Sequence, residues 1–95
     1  MHVISRRKLK EAAEREPDLK GPLDAWFRIT RKAAWKNIAD VRKTFSGADA
    51  VGKWTVFNIK GNHYRLISEI NYFFGRVYVR HVLTHAEYDR GGWKR

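Results

Sequence analysis

At Trp54 the hydrophobic pattern changes to period two, giving three runs rich in β-branched and aromatic residues, Trp54–Ile59, Tyr64–Asn71 and Arg76–Thr84. Lys60-Gly61-Asn62-His63 and Tyr72-Phe73-Phe74-Gly75 separate them, at lengths that suit hairpins, so an antiparallel meander is expected. Four-residue turns would set Ile59 opposite Tyr64, Asn58 opposite Arg65 and Ile67 opposite Arg80. Alternation then puts Phe57, Ile59, Tyr64, Leu66, Ile70, Val77, Val79 and Leu83 on an apolar face, with His81 sharing its parity. The other face collects Asn58, Arg65, Glu69, Asn71, Arg76, Tyr78 and Arg80, a polar, basic and partly aromatic set suited to a nucleic-acid backbone.

Ahead of Trp54 the period is helical. His2-Val3-Ile4 reads as a short edge strand leading through Ser5, a candidate N-cap, into a helix that runs to about Glu16 and stops at Pro17. Leu9, Ala12 and Ala13 form its inner stripe. Pro22 suits the first turn of a second helix with Leu23, Trp26, Phe27, Thr30, Ala33 and Ala34 inward. Asn37 followed by Asp40 resembles a cap with a first-turn acid, opening a short third helix from Ile38 to about Phe45. Ser46–Gly52 reads as a loop. The expected architecture is α+β: a short N-terminal strand and two to three helices packed on an antiparallel meander of three C-terminal strands. At 95 residues it forms one domain, 1–95, with 91–95, including Trp93, expected to be a mobile tail.

Twenty Lys and Arg face ten Asp and Glu, a formal charge of +10 and a pI near 10.3. The excess is spread along the chain, twelve basic against six acidic residues over 1–45 and eight against four over 46–95. It therefore belongs to the folded surface and favours a polyanion or an acidic protein. A 43% hydrophobic content argues against disorder. With no cysteine, disulfides, Cys-containing zinc sites and thiol catalysis are excluded. His2, His63, His81 and His85 lack close ligand spacing and no acidic cluster accompanies them, so no metal and no cofactor is expected. No run approaches a membrane span and the first residues lack a signal-peptide apolar region, so a cytoplasmic protein is expected.

Three segments carry a resemblance: Val56-Phe57-Asn58-Ile59-Lys60-Gly61-Asn62-His63-Tyr64-Arg65-Leu66, then Val77-Tyr78-Val79-Arg80, then Thr84-His85-Ala86-Glu87-Tyr88-Asp89. In this order and spacing they resemble HigB-type toxins, RelE-like messenger-RNA interferases of bacterial type II toxin–antitoxin systems. The strict motifs cover roughly the C-terminal 40 residues. The resemblance implies a RelE-like α+β fold that cleaves messenger RNA, usually on the translating ribosome. It also implies a HigA-type helix-turn-helix antitoxin as partner, with DNA reached only indirectly through that antitoxin, and no membrane role.

Metal-independent RNA cleavage needs a base for the ribose 2′-hydroxyl, cations around the phosphorane-like transition state and an acid for the leaving 5′-oxygen. Arg65 and Arg80, expected on one face of neighbouring strands, are candidates for gripping the scissile phosphate. The structural alternative is that either pairs with Glu69 or Asp89. His85, directly after the last strand, is the candidate acid or base, since histidine titrates near neutrality. Tyr88 falls three residues on and would share its side of a helical turn, to stack on a base or donate a proton; it equally fits a C-terminal aromatic plug. Asp89 would orient the imidazole or cap the turn. Asn58, Lys60, Arg76 and Tyr78 are candidate RNA contacts, although Lys60 also fits a solvated turn and Asn58 a turn-pairing role. Trp26 and Trp35 read as core.

Two rival functions share this pattern. A non-catalytic RNA- or ribosome-binding module would use the same basic face without cutting the strand. An inactive homologue would keep only antitoxin binding, through its helical surfaces.

Overall fold

The computed structural model describes residues 1–94. In chain order it contains β1 (His2–Ile4), α1 (Arg6–Arg15), a 3-10 turn (Pro17–Leu19), α2 (Lys20–Lys32), α3 (Ile38–Thr44) and β2 (Asp49–Val51). There follow β3 (Trp54–Ile59), β4 (Tyr64–Asn71), β5 (Arg76–Thr84), α4 (His85–Arg90) and a final 3-10 turn (Gly92–Lys94). The five strands form one mixed sheet ordered β1-β5-β4-β3-β2, in which only the β1–β5 pair is parallel. The expected meander is β3–β5. Asp49–Val51, read as part of a loop, pairs with β3 because Ala50 and Val51 return along Thr55 and Trp54 through the Gly52 turn.

Helical starts and stops follow local chemistry with two departures. Asn37 caps α3, its Oδ1 accepting the Asp40 amide hydrogen bond at 3.0 Å. Ser5 occupies the N-cap of α1 in a left-handed conformation, φ 70°, and its side chain makes no capping bond. α2 begins at Lys20, before Pro22, because the 3-10 turn at Pro17–Leu19 runs straight into it.

The main core lies between the helices and one sheet face, where Leu9, Ala12, Leu23, Trp26, Trp35 and Val41 meet Phe57, Ile59, Leu66, Val77 and Val79. Phe57 is its centre, edge-on to Trp26 at 5.4 Å and stacked on Trp35 at 6.1 Å between ring centroids.

The register expected for β3–β4 holds, with Asn58 opposite Arg65 and Ile59 opposite Tyr64. That of β4–β5 holds only up to a bulge. Ser68 faces Val79 but Ile67 faces His81, so Arg80 is the extra residue and has no direct β4 partner. From there parity inverts along β5. Val82 joins the main core, whereas Leu83 packs on the opposite face and His81 stands half-exposed opposite Ile67. Leu83 and His81 are therefore corrections to the expected core face.

A second correction concerns that opposite face, which is not polar throughout. Trp54, Val56 and Ile67 form a small second core there, closed by Trp93. Trp93 was expected to be mobile, yet it is 6% exposed, edge-on to Trp54 and stacked on Tyr88, with its indole N–H on the Tyr88 carbonyl at 2.9 Å. Gly91, in the left-handed conformation at φ 75°, ends α4 and turns the chain back to put it there. Arg95, the last residue of the expected tail, lies outside the described residues.

Candidate active site

The β3–β4 turn and the start of α4 meet at the end of the sheet where Tyr64 faces Thr84. Thr84 caps α4 by a reciprocal box: its Oγ1 accepts from the Glu87 amide at 3.1 Å, while Glu87 Oε1 accepts from the Thr84 amide at 2.9 Å. The Thr84 backbone N–H, then the Thr84 hydroxyl, Arg15 and Arg90 hold the Glu87 carboxyl below its ordinary range. The His85 amide donates to the His63 carbonyl at 3.0 Å, which fastens the helix start to the turn.

That same turn orients Arg65. Its guanidinium donates to the carbonyls of Asn62 and Tyr64, both at 3.1 Å, and to Asn62 Oδ1 at 2.5 Å. Three of its five N–H groups are thereby engaged and two remain to meet a phosphate. Its guanidinium carbon lies over the Tyr88 ring, 5.5 Å from the centroid. His85 Nδ1, shielded from solvent, is 3.2 Å from Asp89 Oδ2 one helical turn on, but off the line of a regular hydrogen bond. With Nδ1 turned to Asp89, Nε2 is the nitrogen left to exchange a proton with a substrate. The half-buried Tyr88 is gripped between Arg65 and Trp93, in the packed arrangement of the aromatic-plug alternative.

Arg80 is placed apart from this group. It lies three residues along β5 from Leu83, the cross-strand partner of Arg65, which is about 10 Å of strand. Its Nε donates to Glu69 Oε1 at 3.0 Å, and its guanidinium lies over Tyr78, 5.0 Å from the ring centroid. Lys53 Nζ reaches the same carboxylate oxygen at 4.0 Å. Arg80 and Tyr78 therefore form a second cluster, with the Trp54–Trp93 cover beside it. Arg76, opposite Asn71 at the far end, lies over the exposed Phe74 ring. Asn58 is exposed and closely approached by Gly47: a Cβ there would stand 2.6 Å from Asn58 Nδ2. Lys60, which has a left-handed backbone at φ 53°, is bound to the Asp18 carboxylate. Hydrogen bonding to that partner raises the pKa of the ammonium and lowers that of the carboxyl, so Lys60 is not a free cation.

Reasoning from residue types missed Asn62, which holds Arg65, and Trp93, which holds Tyr88. The legible sign of the Trp93 contact was that Trp54, Val56 and Ile67 share the parity of the polar face. Among the described residues no three His, Asp or Glu side chains converge.

A family profile matches residues 19–91, and its family is the HigB toxin, the RelE-like toxic component of a toxin–antitoxin system. This chain belongs to the HigB toxin family. Two HigB relatives agree with that placement. An mRNA interferase HigB of Escherichia coli O6:H1 is 31% identical over 93 residues, covering 95% of this chain and 90% of its own length. The mRNA interferase toxin HigB of Escherichia coli K12 is 34% identical over 92 residues, covering 94% and 88%. The resemblance carried by the hairpin, strand and terminal motifs is borne out. As a HigB toxin the chain has an antitoxin as its counterpart. The α4 motif falls inside the matched span and Trp93 beyond it.

Proposed function

We propose that this HigB-family toxin is a metal-independent endoribonuclease that cuts messenger RNA, on translating ribosomes in the cytoplasm, and so stops growth until an antitoxin of the HigA helix-turn-helix type neutralises it. DNA is reached only through that antitoxin. The names of the relatives, mRNA interferases, support the substrate. The observation that carries the reading is that one turn serves both groups: Asn62 aims Arg65 while the His63 carbonyl pins His85.

In the proposed reaction the ribose 2′-oxygen attacks phosphorus and gives its proton to a base, and the phosphorus–5′-oxygen bond breaks. The 5′-oxygen takes a proton from an acid, leaving a 2′,3′-cyclic phosphate and a 5′-hydroxyl. Arg65 neutralises the charge growing on the non-bridging oxygens. His85, beside Asp89, exchanges a proton through Nε2, and Tyr88 supplies a hydroxyl next to it. Arg80 and Tyr78 hold the strand further along, with Arg76 at the far end. Asn58 contacts RNA beside Arg65; Lys60 joins only after release from Asp18.

Inducing wild type and the Arg65→Ala/His85→Ala double variant, at matched levels of folded protein, tests this by mapping messenger-RNA 5′ ends. The expected result is new ends and growth arrest with wild type alone; loss of His85 as a general acid or base costs about 100- to 10,000-fold in rate. Arrest without new ends would replace the reading by a non-catalytic RNA-binding one.

A further inference from the structure

We infer that the cleft where α1 crosses the edge of β5 is a second phosphate site for the RNA strand, formed by Lys8, Arg15 and Arg80; the inference rests on the ribonuclease reading. The parallel β1–β5 ladder ends where Ile4 faces Tyr78, yet β5 runs on to Thr84. Past that point α1 covers the strand edge, and the Arg15 guanidinium donates to the Val82 carbonyl at 3.4 Å. The bulge leaves Arg80 without a β4 partner at the same place. The result is a cleft of about 130 Å³ lined by Lys8, Glu11 and Arg15 of α1 and by the strand from Arg80 to Leu83.

Its chemistry selects an anion. Lys8, Arg15 and Arg80 share the cleft with the Glu11 carboxylate, while Glu69 meets Arg80 from the sheet face, and neither Lys8 nor Arg15 has a carboxylate within 4.0 Å among the described residues. Two guanidiniums and an ammonium, delivered by a helix and a strand, suit the oxygens of a phosphodiester. Burial first, then the charges of Lys8 and Arg80, hold the His81 imidazole below its ordinary value, which accords with a positive local potential. Arg80 belongs to both regions, since its Nε meets Glu69 on the sheet face while the residue lines the cleft. A strand laid from Arg65 past Arg80 therefore leaves the sheet over this edge.

The test is fluorescence anisotropy of a single-stranded 2′-O-methyl RNA oligonucleotide, whose blocked 2′-oxygens prevent cleavage, titrated over a range of salt. Lys8→Gln is the primary variant, because Arg15 also braces β5, and Lys10→Gln on α1, which lines a different groove, is the charge control. With circular dichroism unchanged, Lys8→Gln is expected to weaken binding about fivefold and to flatten the log–log salt slope by about 0.7, one phosphate contact on a single strand. Lys10→Gln is expected to change affinity by less than about twofold. Equal losses in the two variants, or a Lys8→Gln protein with wild-type affinity and slope, would overturn the site. Wild type that binds the oligonucleotide but never cuts messenger RNA overturns the ribonuclease reading alone, and wild type that fails to bind it overturns the second phosphate site.

Discussion

Glu69 is the side chain whose role differs most from its sequence context. It sits among cations and takes the one acceptor position that Arg80 Nε reaches, with Lys53 on the same oxygen. Both members of the Arg80 pair are part-exposed, so its net worth to stability is small, within about 1 kcal/mol. Its larger effect falls on binding, because a phosphate must displace the carboxylate to use Arg80 fully. Glu69→Gln is expected to leave thermal unfolding nearly unchanged while tightening RNA binding and steepening its salt dependence. Anisotropy beside a melting curve checks this, and weaker binding in the variant would show that Glu69 orients Arg80 for RNA instead of masking it. Lys60 and Asp18 pose the same competition at the first hairpin turn.

Among the elements, α4 has the least independent support. Six residues cannot sustain a helix in water, and none of them is fully buried. Its order comes from the Thr84–Glu87 box, the His63 carbonyl and the Trp93 cover. Because the folded Glu87 pKa is depressed, its contribution is complete above the unfolded value of about 4.3 and is lost as pH falls through the lower folded value. Amide-exchange protection factors at His85–Arg90, taken relative to the intrinsic rate at each pH, are therefore expected to fall on acidification through that window. Glu87→Gln, which keeps an acceptor but cannot titrate, is expected to lose this pH dependence; an unchanged profile would place the sensitivity elsewhere. The bulge in β5 is the other decisive local feature, since one unpaired residue moves Leu83 to the outer face and turns Arg80 toward two regions at once.

Taken together, the molecule is a sheet covered on both sides, by the helices on one and by a tail carrying Trp93 on the other. Small domains bury proportionally little of their surface, so a second cluster of Trp54, Val56, Ile67 and Trp93 matters to the whole. Trp93→Ala is expected to cost about 3 kcal/mol, in the range for large aromatic truncations, with a smaller loss for Trp93→Phe, which keeps the stack but not the indole hydrogen bond. Chemical denaturation of the two variants measures this. A loss under about 1 kcal/mol for Trp93→Ala would show that the clip is loose in solution. The charge of +10 adds repulsion within so small a body, a cost that a bound polyanion relieves.

Much of the fold was legible before the structure. Period two after Trp54 and the hairpin-length turns placed β3, β4 and β5 and paired Asn58 with Arg65, because alternation and turn length are local properties. Asn37 and Asp40 announced α3 in the same way, through a cap that spans three residues. The hairpin, strand and terminal motifs pointed to the family, and Arg65, His85 and Tyr88 were nominated by residue type and order. The rest depended on contacts between distant segments. No local signal marks the bulge, which lies past the end of the β1–β5 ladder where Arg15 of α1 reaches β5, and so the positions of Arg80, His81 and Leu83 could not be read ahead. The pairing of Lys60 with Asp18 and of Arg80 with Glu69, and the return of Trp93 onto Tyr88, join residues whose neighbourhood exists only once the chain has folded.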